Sequence, residues 1–219
     1  MRLFWPRKKR RNPRPSSGGS HSGKFLRARY DAAQTTRENA RHWSMADALS
    51  ADAANSPDVR ATLRTRSRYE VANNSYAKGM VLTLAGDCVG TGPRLQMLTE
   101  NAELNRLVEQ SFSSWSTAIG LPAKLRTMRM AKATDGEAFA MLVFNPEIDH
   151  PVKLDVVLIE TDRIATPDEY MNDDSVVDGI QLDESGNPVR YFVMTSHPGE
   201  PGRLQNDFMS VPAGSMIHY

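Results

Sequence analysis

The sequence contains a single cysteine, Cys88, in 219 residues. One thiol cannot close an internal disulfide, which fits a reducing compartment and a fold held without cross-links. No apolar run approaches the ~18 residues that a membrane-spanning helix requires. The longest candidates are Met80–Ala85 and Val156–Ile159. The basic start, Met1–Arg14, is followed by no apolar core region, so it does not read as a secretory signal. Repeats with periods of 20–50 residues are also missing, which excludes solenoid and propeller architectures. What remains is ordinary globular composition, 40% hydrophobic and 24% charged, enough for one fair-sized core or two small ones.

Charge is present but unevenly placed. Residues 1–29 hold ten Lys or Arg and no acid, so the rest of the chain carries a balance of −9 within a net +1. The result is an acidic body with a cationic tail, and only the tail can attract polyanions through bulk charge. Residues 1–24 are dominated by Pro, Gly, Ser and basic residues, a composition that buries too little to order itself, and they are expected to form a disordered tail. Its run Arg7-Lys8-Lys9-Arg10-Arg11 is a candidate polyanion contact or simply a solvated, solubilising arm. Residues 25–55 are rich in Ala and thinly apolar, with Tyr30, Trp43, Met45 and Leu49, and are expected to form a helical arm that packs on something larger.

A long helix is expected from Ser56 to Val89. Ser56 suits the N-cap, Pro57 the first helical position and Asp58 the first turn. Gly90-Thr91-Gly92-Pro93 ends it. Asn73-Asn74 and Gly79 are weak helix formers and mark places for a bend or break. Arg60, Arg64 and Arg68 recur every four residues on one stripe, with Arg66 beside them. Like charges so spaced repel by a few tenths of a kcal/mol per pair, so counter-charge must come from somewhere. Local carboxylates on a solvated face are the simplest source. Acids elsewhere in the body, a neighbouring subunit or a phosphate backbone are the others.

Arg94–Leu98 reads as a short strand, Glu100–Ile119 as an amphipathic helix, and Leu125–Thr134 as another. From Glu137 the pattern becomes β. Strands are expected at Glu137–Phe144, Lys153–Glu160, Ile180–Leu182, Val189–Thr195, Met209–Val211 and Ser215–Tyr219, with a hairpin around Asp183–Pro188. Helices first and strands after predict an α+β fold with a mostly antiparallel sheet spanning 56–219.

Tests for chemistry return little. The histidines (His21, His42, His150, His197, His218) are scattered, no Cys pairs with them at ligand spacing, and the common nucleophile, phosphate-loop and zinc-protease motifs do not occur. Asn172-Asp173-Asp174…Asp178 lacks the spacing and closing Glu of a calcium loop and reads as a solvated acidic loop. Glu160, Asp162 and Asp168 are a candidate two-metal carboxylate site of nuclease type, but Asp162 adjoins Arg163, and turn capping accounts for Asp162 and Asp168. Cys88 reads as a small buried residue. No cofactor and no enzymatic activity are expected.

Several stretches, in order, resemble the lambda-like family of tailed-phage portal proteins. They are Tyr30-Asp31-Ala32-Ala33, Arg37-Glu38-Asn39, Trp43, Ala51–Asn55, Leu63–Glu70, Asn73–Gly79, Gly90–Gln96, Asp135-Gly136-Glu137, Glu160–Pro167, Asp178-Gly179-Ile180, Val211-Pro212-Ala213 and Ile217-His218-Tyr219. The resemblance implies a homo-oligomeric ring, usually a dodecamer, at one capsid vertex of the virion, assembled in the host cytoplasm. DNA is packaged and ejected through such a ring. Terminase, capsid and head-completion proteins are the implied partners, and the ring itself does no chemistry. Neighbouring subunits in it can pair opposite surfaces, a role open to Arg60, Arg64, Arg66 and Arg68. Portal proteins of this family are longer, continuing into stem, clip and crown. The resemblance therefore implies the arm and wing-like part alone, with those regions absent. The other functional class is a nucleic-acid-binding protein acting through the basic tail.

Overall fold

The computed structural model describes residues 35–200 and 207–219. Two units are distinguished, dividing between Ala48 and Leu49. In the first, residues 37–45 form successive turns, with Thr36 and Asn39 exchanging side-chain-to-backbone hydrogen bonds.

The second unit begins with α1 (Ala51–Ala54), α2 (Pro57–Asn73) and α3 (Ser75–Val89). The expected long helix is thus two, and the break falls at Asn74. That residue is extended (φ −109°, ψ 113°), and its Oδ1 accepts from the amides of Tyr76 (3.0 Å) and Ala77 (3.4 Å). Asn74 therefore ends one helix and caps the next, replacing backbone partners that the extended ψ removes. Gly79, the other weak point, stays helical because nothing there compensates a break. Ser56 occupies the N-cap position of α2 without a side-chain cap bond.

Next come α4 (Ala102–Ala118) and α5 (Leu121–Asp135). The second starts four residues before the expected Leu125, because Pro122 fits a first turn as well as a stop. Arg94–Leu98 is not a strand. It has the alternation but no neighbour to pair with, and Met97 N donates to Glu109 Oε1 at 2.8 Å instead.

The β half supplies β1 (Phe139–Phe144), β2 (Leu154–Ile159), β3 (Val176–Val177), β4 (Ile180–Leu182), β5 (Pro188–Met194), β6 (Phe208–Pro212) and β7 (Met216–His218). They form two antiparallel sheets, β2-β1-β7 and β3-β4-β5-β6. The fold is α+β, as the order of elements in the sequence predicts.

Strand β1 is central because both its faces are apolar. Ala140 and Leu142 face Ile119, Leu121, Leu125 and Met128 of the helical layer, with Trp115 and Val156 completing that core. Phe139 and Met141 face the other way, onto Tyr191, Val193 and Val211 of the second sheet. Alternation along one strand thus joins helices, first sheet and second sheet into three layers. Lys124 Nζ pairs with Asp155, tying α5 to β2, and Trp115 Nε1 donates to Leu154 O at 2.8 Å.

Candidate assembly interface

Helix α2 sits against this body in an unusual way. None of its residues is buried. The positions that are half-covered, Arg60, Arg64, Ser67, Arg68 and Val71, follow helical spacing and so share one face. The inward stripe is therefore mainly arginine, while Val59, Leu63 and Tyr69 remain exposed.

Each arginine of the stripe meets carboxylates of the body. Arg60 Nη2 pairs with Asp178. Arg64 donates from Nη1 to Asp162 Oδ1 (3.0 Å) and from Nη2 to Glu137 Oε1 (2.9 Å). Arg68 grips Asp135 with both arms of a fork, Nε to Oδ1 at 2.7 Å and Nη2 to Oδ2 at 2.9 Å, and its Nη1 reaches Asp162. Planar bidentate pairing of this kind is the strong form of the ion pair. Two histidines close the ends: His197 Nε2 lies 3.3 Å from Asp162, and His218 Nε2 lies 3.4 Å from Glu137. The arginine ladder thus finds its counter-charge among acids elsewhere in the body. Arg66, off the stripe, is exposed and has no ion pair among the described residues. Arg7, Lys8, Lys9, Arg10 and Arg11 lie outside the described residues.

The fourth carboxylate is delivered by a turn. Asp178 (φ 52°) and Gly179 (φ 77°) are the two-residue connection between β3 and β4, the geometry of a tight hairpin with both central residues left-handed. The acidic stretch 172–178 is accordingly part loop and part hairpin turn.

Electrostatics follow from the geometry. Burial alone would raise the Asp162 pKa, but the hydrogen bonds from Arg68 and Arg64 outweigh it and hold the carboxyl below its usual range. Glu137 is also lowered, chiefly by the hydrogen bond from His218, with Arg64 adding to it and burial opposing. The Arg68 guanidinium is held above its ordinary value, first by Asp135. Both carboxyls release protons more readily folded than unfolded. Their contribution is therefore present above the unfolded pKa of about 4 and is lost as pH falls through the lower folded values. The urea midpoint is expected to fall below about pH 4, and to fall less steeply in an Asp162→Asn chain, which has one such group fewer.

Other sequence candidates are not brought together. Both Asp162 oxygens are occupied by arginines, Glu160 and Asp168 are exposed, and no group of three or more potential metal ligands occurs among the described residues. Arg163 does not pair with its neighbour Asp162. It donates to the carbonyls of Met194 (2.8 Å) and Thr195 (3.2 Å), pinning the segment after β2 to β5. Turn capping does not account for Asp162, whose side chain belongs to the ladder. Cys88 is exposed, in contrast to the buried position expected of it, because it lies at the open end of α3.

Beyond the ladder, large apolar side chains stand in solvent. Tyr76 is 84% and Met80 69% exposed on α3, a helix in which only Ala85 is buried. Leu98, Leu104 and Leu107 form a second exposed set around the start of α4, so only the C-terminal half of its expected apolar face reaches the core. Exposed apolar side chains at helical spacing, as at Tyr76 and Met80 or Leu104 and Leu107, are candidates for contact with another surface. The second unit is thus an α+β body that carries an arginine–carboxylate ladder and exposed apolar side chains on α3 and α4.

The chain belongs to the lambda family of phage portal proteins, whose family model matches residues 36–219. It is also 25% identical over 174 residues to a protein of Halomonas phage phiHAP-1 described as a probable portal protein. That similarity covers 71% of this chain and 33% of the relative, so the chain spans about a third of the length of the curated relative it matches.

Proposed function

We propose that the chain is a structural component of a phage portal, forming wing-like mass in a ring of like subunits at one capsid vertex, through which DNA is packaged and ejected. The observation that carries this reading is the family match from residue 36 to residue 219. The exposed faces of α3 and of the start of α4 support it, since a subunit of a ring must keep apolar surface available for its neighbours. On this reading the chain performs no chemistry of its own. Its partners are other portal subunits, DNA, and the packaging motor, capsid and head-completion proteins with which portals work. Arg66, exposed beside the ladder, and the run Arg7–Arg11 are candidate cations for contacts with a neighbour or with polyanion.

Size-exclusion chromatography with light scattering tests the assembly step. The purified chain is expected to self-associate with rising concentration, and Tyr76→Ser/Met80→Ser is expected to weaken that association while leaving the far-UV spectrum unchanged. A strict monomer at high concentration overturns the reading. Removing residues 1–24 is expected to leave self-association intact, whereas a protein acting mainly through a basic tail would lose polyanion binding and its salt dependence with that deletion.

A further inference from the structure

We propose that the carboxylate face formed by Asp135, Glu137, Asp162 and Asp178 is a docking site for α2 of a second copy of this chain, the helix leaving its own body by straightening at Asn74. The inference rests on the assembly reading above and names a surface through which copies engage.

Three observations carry it. First, α2 buries none of its own residues, so lifting it away removes no side chain of the helix from a core. Beside its contacts with α5, what holds it is the ladder, and a ladder of ion pairs is satisfied equally by the same groups on another molecule. Second, the complementarity is two-sided. Arg60, Arg64 and Arg68 lie on the helix and four carboxylates lie on the body, each set repelling itself when left alone. A released helix and a bare carboxylate face are each unfavourable, and a second copy supplies what each lacks.

Third, the joint is one residue long. Asn74 N already donates to Glu70 O (2.8 Å), and Asn74 O already accepts from Lys78 N (3.0 Å), both helical bonds. Turning its ψ from extended to helical removes the two cap bonds to Oδ1. It restores backbone acceptors to the amides of Ser75, Tyr76 and Ala77. The outcome is one continuous helix from Pro57 to Val89, ~50 Å long at 1.5 Å per residue, with the arginine stripe carried away from its own body. A cleft of about 1040 Å³, lined by Leu63 of α2 and by Phe139, Ile164 and Ile180 among others, separates part of the helix from the sheets. Exchange of an identical element through a short joint is a low-cost route to association.

Charge reversal on each side provides the test. Arg64→Glu/Arg68→Glu puts acids opposite the acidic face, and Glu137→Arg/Asp162→Arg puts bases opposite the basic helix. Within one chain, either variant repels its own α2. Mixed one to one, each helix finds a complementary face only on the other molecule. Native mass spectrometry is expected to show heteromers on mixing, with dissociation constants at least about tenfold below those of either variant alone. Two folded variants that form no heteromer overturn the proposal. Should a variant not fold, Asn74→Ala in the otherwise unchanged chain gives the second reading. It favours the straight helix and is expected to raise the self-associated fraction, and an unchanged fraction counts against exchange. Unmutated chains that assemble while the mixture fails sink the exchange alone. Unmutated chains that stay monomeric while the mixture forms heteromers sink the assembly reading alone.

Discussion

Replacing Asp162 by alanine is expected to lower the melting temperature by about 5–10 °C, from a loss of about 2–3 kcal/mol. Asp162 is the hub at which two rungs of the ladder meet, since one oxygen receives Arg64 and the other receives Arg68 and faces His197. Removing it does not merely delete two charge-assisted hydrogen bonds. It leaves two guanidiniums side by side, and the Arg64 side chain is only 15% exposed, so water cannot replace what is lost. The effect stays below that of a fully buried pair because each arginine keeps a second partner, Glu137 for Arg64 and Asp135 for Arg68. Asp162→Asn, which keeps the shape, is expected to cost about half as much. Thermal melts at low and high salt check the electrostatic origin. The deficit should shrink as ionic strength rises, since the unmutated ladder is itself partly screened. A deficit independent of salt would assign the loss to packing instead.

The helical side of this ladder was legible in the sequence, and the body side was not. Four-residue spacing put Arg60, Arg64 and Arg68 on one face, and that face is the one turned inward. Their partners lie 67 to 118 residues away, in the end of α5, the segment before β1, the turn after β2 and the β3–β4 connection. No local pattern links such positions, because only the closing of the two sheets brings them together. The joint at Asn74 was visible as weak helix propensity at three residues. Propensity alone could not choose among Asn73, Asn74 and Gly79. Chemistry does, since only a side chain that accepts the freed amides offsets the lost backbone bonds. Order of elements sufficed for the α+β class. Whether a stretch with strand alternation becomes a strand depends on having a neighbour, and Arg94–Leu98 has none. The β3–β4 hairpin is legible in the sequence only at its turn. Asp178-Gly179 between Val176-Val177 and Ile180 has the residues such a turn demands, yet the acids before it made the segment read as a solvated loop.

That turn is also where a single methyl group should do the most damage. Gly179→Ala is expected to cost about 3–5 kcal/mol, enough to lower the melting temperature by about 10 °C or more and to reduce soluble yield. Two effects add. At φ 77° an L-residue is strained, which alone costs about 1 kcal/mol. The added carbon would also stand 2.6 Å from Ala165 N and 2.8 Å from Ala165 C and O, backbone atoms that cannot rotate away. The Ala165 segment is itself fixed, through Ile164 bridged to Val193 and through Thr166 Oγ1 accepting from Gly179 N at 2.9 Å. Relief therefore requires the turn to move, and Asp178 moves with it, so Arg60 loses its partner on the same event. Gly186 supplies the control. It has a comparable φ of 83° but open space around its Cβ position, so Gly186→Ala carries the conformational cost of about 1 kcal/mol without the collision. Equal melting temperatures for the two variants would mean that the close approach to Ala165 does not constrain the turn. The larger loss at Gly179 would tie the hairpin, and the first rung of the ladder with it, to one glycine.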